Sequence, residues 1–156
     1  MKNISNIFQK KKILIYGLGK SGISTFHFLK NKSEIFLYDD YLPQIKQKHL
    51  KKYLINYNSI LKNNFDLIVL SPGIDINKCK LSQLLKKNYK KIITDLDIFY
   101  CKNFKNKIIA ITGTNGKSTT AHLVYLILKN QKKDVRLCGN IGNPILLEKK
   151  ISKKTI

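Results

Sequence analysis

The residues with the clearest chemistry are Gly113, Thr114, Asn115, Gly116, Lys117, Ser118 and Thr119, which follow the β-branched run Ile108 to Ile111 and open an apolar segment. Glycines let backbone N–H groups approach phosphate oxygens, and a helix starting at Lys117 would add the partial positive charge of its N-terminus. Lys117 can reach the β- and γ-phosphates of a nucleoside triphosphate, and the Ser118 hydroxyl can ligate Mg²⁺. Gly113 to Thr119 are therefore the candidate nucleotide-phosphate-binding set, with Lys117 and Ser118 as catalytic candidates and Ser118 as the metal ligand. The spacing is shorter than in the common P-loop: Gly113 and Gly116 enclose only Thr114 and Asn115, and Ile111 stands at the usual first-glycine position. A turn of small residues that binds nothing is the structural alternative.

A second phosphate signature, Gly17-Leu18-Gly19-Lys20-Ser21-Gly22, follows the apolar run Ile13 to Tyr16. In the dinucleotide fingerprint such glycines permit a tight turn and close approach to a pyrophosphate. An acidic residue ending the second strand then meets a ribose or base. Asp39 stands at that place. This signal alone suits a nicotinamide-dependent oxidoreductase equally well. Hydride chemistry needs only one such loop, however, and two loops on successive units point to two phosphorylated ligands. Ser71-Pro72-Gly73-Ile74 and Gly139 to Pro144 read as turns, since Pro-Gly is a strong turn dipeptide and Asn115 and Asn140 tolerate left-handed backbone.

The elements that must position these loops alternate strand and helix, which predicts an α/β fold with a parallel sheet. Strands are expected over Ile13 to Tyr16, Ile35 to Tyr38, Asp66 to Leu70, Lys91 to Ile93, Lys107 to Ile111 and near Asp134 to Leu137. Helices are expected over Ser21 to Lys30, where Ile23, Phe26 and Leu29 share one face, and over Pro43 to Tyr57, Cys79 to Lys87, Asp95 to Cys101 and Lys117 to Lys129. Lys102 to Lys107 is a polar connector, dividing a Rossmann-like domain, 1–104, from the start of a P-loop ATPase-like domain, 105–156.

Composition narrows the function classes. A hydrophobic content of 43% argues for a globular chain, and no apolar run approaches the ~18 residues of a membrane span. Ile13 to Tyr16 is too short for a secretory core. The net charge is +21, yet Arg136 is the only arginine. Base-edge readers favour arginine's rigid fork, so weak polyanion binding is expected and a specific nucleic-acid role is not. Cys79, Cys101 and Cys138 lack metal-type spacing and suit reduced thiols in a cytoplasm.

Gly-Leu-Gly-Lys-Ser-Gly at 17–22, Asp-Leu-Ile-Val-Leu-Ser-Pro-Gly-Ile at 66–74, Ala-Ile-Thr-Gly-Thr-Asn-Gly-Lys-Ser-Thr at 110–119 and Gly-Asn-Ile-Gly at 139–142 occur in the order seen in Mur ligases. The chain resembles that family along essentially its whole length, closest to the D-glutamate-adding branch. Folylpolyglutamate synthases share the second glycine loop but lack the preceding dinucleotide-like domain. The resemblance implies a cytoplasmic, monomeric ligase of peptidoglycan synthesis. In such a ligase, ATP and Mg²⁺ activate UDP-N-acetylmuramoyl-L-alanine as an acyl phosphate, which the amine of D-glutamate attacks. It places Gly17, Gly19, Lys20, Ser21 and Gly22 by the UDP diphosphate, Asp39 and Asp40 by the uridine, Ser71, Pro72 and Gly73 along the UDP-sugar path, and Asn140 beside the muramoyl diphosphate. Thr114 to Thr119 would bind ATP. Lys20 and Asp40 depart from the family pattern, where an apolar and a hydroxyl residue are usual. The family's central domain continues beyond the Asn-Ile-Gly loop and a third domain follows it. These 156 residues are thus expected to be an N-terminal piece, inactive alone; a non-catalytic nucleotide-binding module is the other reading.

Overall fold

The computed structural model describes residues 7–41, 48–103, 105–139 and 141–156. The chain divides into two compact units, Met1–Lys102 and Asn103–Ile156, each described by itself.

The first unit is a four-stranded, all-parallel sheet in the order β2-β1-β3-β4, built from β1 (Lys12–Tyr16), β2 (Glu34–Tyr38), β3 (Leu67–Leu70) and β4 (Ile92–Ile93). Its register pairs Tyr16 with Tyr38 on one side and with Leu70 on the other. The near-continuous apolar sequence of β1 is what a strand covered on both faces requires. Leu14 and Tyr16 pack with Ile60, Phe65, Leu81 and Leu85, so the strand's alternation turns Ile13 and Ile15 to the opposite face. There α1 (Lys20–Leu29) packs against β1 and buries Phe26 and Leu29. Each such fully buried side chain contributes about 1.5–3 kcal/mol.

The segment expected to be helical over Pro43 to Tyr57 is not one helix. Residues 42–47 lie outside the described residues, Lys48–Tyr53 is a 3-10 helix, and Leu54 pairs with Leu37 at the sheet edge. The amide of Ile55 donates to the Leu37 carbonyl at 3.0 Å, a strand-edge bond that a helix at this point would forfeit. Asn56 then caps a separate helix, α2 (Tyr57–Lys62), its side chain accepting from the Ser59 amide at 2.8 Å. Helices α3 (Ser82–Lys87) and α4 (Asp95–Asn103) complete the unit.

Among its described residues the second unit holds α5 (Lys117–Asn130) and one 3-10 turn, Ile145–Leu147. The strands expected over Lys107 to Ile111 and Asp134 to Leu137 do not form among the described residues. A parallel strand exists only through ladder bonds to neighbours on its edges, and every paired strand described belongs to the first unit. Near Asp134 the chain is held otherwise: Arg136 N donates to the Ile156 carbonyl, and Ile156 N to that of Asp134, both at 2.8 Å.

Candidate functional site

The Gly17–Gly22 turn lies at the carboxyl end of β1, the strand about which the sheet order reverses; crevices at such points receive ligands in open α/β sheets. Gly17 adopts φ +93°, and its amide donates to the Tyr38 carbonyl at 2.9 Å. Gly22 brings α1 close: a Cβ there would lie 1.8 Å from the Gly17 carbonyl oxygen. Gly19 is the N-cap of α1 and faces open space, with nothing within 4 Å of a Cβ built on it. No side chain caps α1 and its first turn carries no acid. Its leading amides, beside the exposed Lys20 and half-buried Ser21, are therefore free to receive an anion.

Asp39 is engaged by the turn itself. One carboxylate oxygen accepts from the Leu18 amide at 2.7 Å, the other from the Tyr41 amide at 2.9 Å. Asp40 takes the Tyr16 hydroxyl at 2.8 Å, while its other oxygen is buried with no partner among the described residues. Burial, followed by that Asp40 bond, holds the Tyr16 phenol far above its ordinary range and keeps it a donor. Lys80 reaches the same residue, its ammonium donating to the Asp40 carbonyl at 3.1 Å. Ser71 donates its hydroxyl to the Gly17 carbonyl at 2.8 Å, and the turn closes where Ile74 N meets Ser71 O at 3.0 Å. Pro72 and Gly73 are exposed. Residues 17–22, 39–40 and 71 are thus joined in one loop cluster. Tyr16 and Lys80 are members that the sequence did not single out. Tyr16 reads simply as the last apolar position of a strand, and Lys80 is one lysine among many.

In the second unit, Gly113 and Gly116 take φ +145° and +71°, and Gly116 is the N-cap of α5. That helix too has neither a side-chain cap nor an acidic first turn. Among the described residues, no backbone hydrogen bond outside the helices and strands is donated by the amides of Thr114 to Ser118. The Lys117 ammonium folds back onto the carbonyls of Gly113 and Thr114, the latter at 3.0 Å. Asn115, Ser118 and Thr119 are exposed. These open amides and the adjacent ammonium suit a triphosphate. A magnesium ion could take the Ser118 hydroxyl as one oxygen ligand beside phosphate oxygens; no group of three His, Cys, Asp or Glu side chains gathers among the described residues.

Asn140 lies outside the described residues. Around it, Gly142 (φ +78°) leaves only 2.2 Å between a built Cβ and the Leu137 carbonyl oxygen. Asn143 donates to Glu148 at 2.9 Å, and Arg136 pairs with both Glu148 and Asp134. The Thr155 hydroxyl, and then Arg136, hold the Asp134 carboxyl below its usual range. Burial pushes the Cys138 thiol up to about 11, so it stays protonated.

Residues 11–93 match the family model described as Mur ligase MurD-like, N-terminal domain, and residues 111–155 match the Mur ligase middle domain. Proteins named UDP-N-acetylmuramoylalanine--D-glutamate ligase are similar over most of the chain. That of Rickettsia prowazekii (strain Madrid E) is 40% identical over 148 residues, covering 92% of this chain and 33% of the relative. Those of Wolbachia pipientis wMel and Aquifex aeolicus (strain VF5) are 34% and 39% identical, covering 90% and 85% of this chain and 29% of each relative. The chain spans about a third of the length of the curated relatives it matches. The two matched segments each contain one of the glycine loops, and on that basis the chain belongs to the Mur ligase family, with a MurD-like N-terminal domain.

Proposed function

We propose that this chain supplies the precursor-binding domain, 1–104, and the opening of the ATP-binding domain, 105–156, of a cytoplasmic, ATP-dependent ligase that adds D-glutamate to UDP-N-acetylmuramoyl-L-alanine. The observation that carries the reading is the presence of two uncapped, glycine-led helix N-termini, each within its own Mur ligase segment. The amides after Gly19, with Lys20 and Ser21, receive the precursor's diphosphate, and the residues around Asp39, Asp40 and Gly73 line the path of its uridine and sugar. Asn140 meets the same precursor. The amides of Thr114 to Thr119 hold the ATP phosphates, and Ser118 offers a ligand to Mg²⁺. ATP supplies the phosphoryl group that activates the precursor carboxylate. Lys117 is poised to exchange its bonds to Gly113 and Thr114 for bonds to that phosphoryl group, offsetting its charge; positioning and electrostatics dominate such transfers.

These 156 residues bind but do not turn over, as a monomer without specific affinity for nucleic acid or membrane. No described helix is long and apolar enough to cross a membrane. Calorimetric titration with UDP-N-acetylmuramoyl-L-alanine, with ATP and Mg²⁺, and with NADH as a control tests the reading. Binding of the first two and not the third is expected, with no phosphate release when D-glutamate is added. Binding of NADH in place of the precursor would favour an oxidoreductase, and ATP binding without precursor binding a non-catalytic module.

A further inference from the structure

We propose that Ser71 is a positioning residue for the precursor site: its hydroxyl fixes the Gly17–Gly19 turn so that the free amides of α1 face a diphosphate, and it does not itself touch the ligand. The inference deepens the reading of the first unit as a UDP-precursor site and rests on it. It departs from the expectation that Ser71 lies along the UDP-sugar path.

Three observations carry it. The amide of Ser71 donates to the Tyr16 carbonyl at 3.0 Å, extending the β1–β3 ladder one residue past β3 and fixing the serine backbone beside the turn. The hydroxyl then donates to the Gly17 carbonyl at 2.8 Å. A serine carries a single hydroxyl proton, so this bond leaves none for a phosphate or sugar oxygen. Finally, the half-buried hydroxyl lies close against the turn: Cβ atoms built at Gly17 and Gly22 would lie 2.8 and 3.3 Å from Ser71 Oγ. The turn after the central strand is thus clamped from both flanking strands. Asp39 holds the Leu18 amide from the β2 side, and Ser71 holds the Gly17 carbonyl from the β3 side.

The test compares wild type with Ser71→Ala in the full chain, by amide hydrogen exchange without ligand and by calorimetric titration of UDP-N-acetylmuramoyl-L-alanine. Loss of the clamp should speed exchange of the Gly17 and Leu18 amides about tenfold in the free chain, leave the β1 amides protected, and weaken binding by a similar factor. Weaker binding with unchanged exchange would mean that the serine touches the ligand, and no change in either would mean that the hydroxyl does nothing; both overturn the proposal. If the alanine variant does not fold, Ser71→Cys, whose thiol is a weak donor of similar shape, is measured in the same way with the same expected direction. Failure of wild type to bind the precursor would sink the precursor-site reading, while the ligand-free exchange would still decide whether Ser71 clamps the turn.

Discussion

Gly19 and Gly22 share one turn, yet substitution at the two should act in opposite ways. At Gly22 an added Cβ meets a backbone carbonyl at 1.8 Å, so α1 must move off the sheet, and Gly22→Ala should cost about 3 kcal/mol in chemical denaturation. At Gly19 the same methyl meets nothing. Gly19→Ala should therefore change stability by less than about 0.5 kcal/mol while weakening precursor binding, because the methyl stands where a phosphate would approach. Lys117 is a parallel case: among the described residues it bonds only carbonyls of its own exposed loop. Lys117→Ala should leave the melting temperature in place and remove ATP binding in a titration. The glycines were legible in sequence because the constraint they answer, a turn between strand and helix, is local. The partnerships of Asp39 with Leu18, Asp40 with Tyr16, and Lys80 with Asp40 span 21, 24 and 40 residues. No local pattern marks them, so Asp39 reads in sequence as a residue aimed at a nucleoside although its carboxylate braces the turn.

Among the elements, α1 shows how a helix is read from its spacing and how its flank is not. Phe26 and Leu29 are buried as their periodicity requires, but the packing of its neighbour, the 3-10 helix at Lys48–Tyr53, follows from tertiary contacts. Tyr53 meets Phe26 edge-on at 4.7 Å, and His49 sets its ring 6.1 Å from that of His27. Partial burial, then Lys30 and His49, lower the His27 pKa below 6.5. The folded chain therefore binds fewer protons there than the unfolded chain. The stability that this group contributes is complete above pH 6.5 and is lost as pH falls from there through the lowered folded value. Because His27 is largely exposed, the loss should stay below about 0.5 kcal/mol. Denaturation of wild type and His27→Asn at pH 7.5 and 5.5 checks this: the histidine chain should lose more stability on acidification. The strands missing beyond residue 106 belong to the same lesson. Ile108 to Ile111 has strand composition, but composition is a local property and pairing is not.

Across the whole chain, the distribution of burial separates the two units more sharply than their sequences do. The sheet and the core cluster of Leu14, Tyr16, Ile60, Ile68 and Leu85 lie within residues 1–102. In residues 103–156, α5 buries none of its side chains, and Leu123, Ile127, Ile108 and Ile109 are 54%, 57%, 50% and 53% exposed. Both segments carry apolar residues at comparable density, so hydrophobicity alone could not tell a strand with neighbours from one without. A cooperative core resists proteolysis because cleavage must await global opening, whereas a segment with little buried area opens locally at small cost. Trypsin has sites at Lys102, Lys105 and Lys107, between the core and α5. Brief digestion should therefore remove the residues beyond these sites first and leave a fragment ending at one of them, identifiable by its mass. That fragment should retain the melting transition of the intact chain and still bind UDP-N-acetylmuramoyl-L-alanine, more weakly for want of Asn140, while ATP binding disappears with the Gly113–Thr119 loop. Uniform degradation without a resistant product would show instead that the sheet draws its stability from residues past 102.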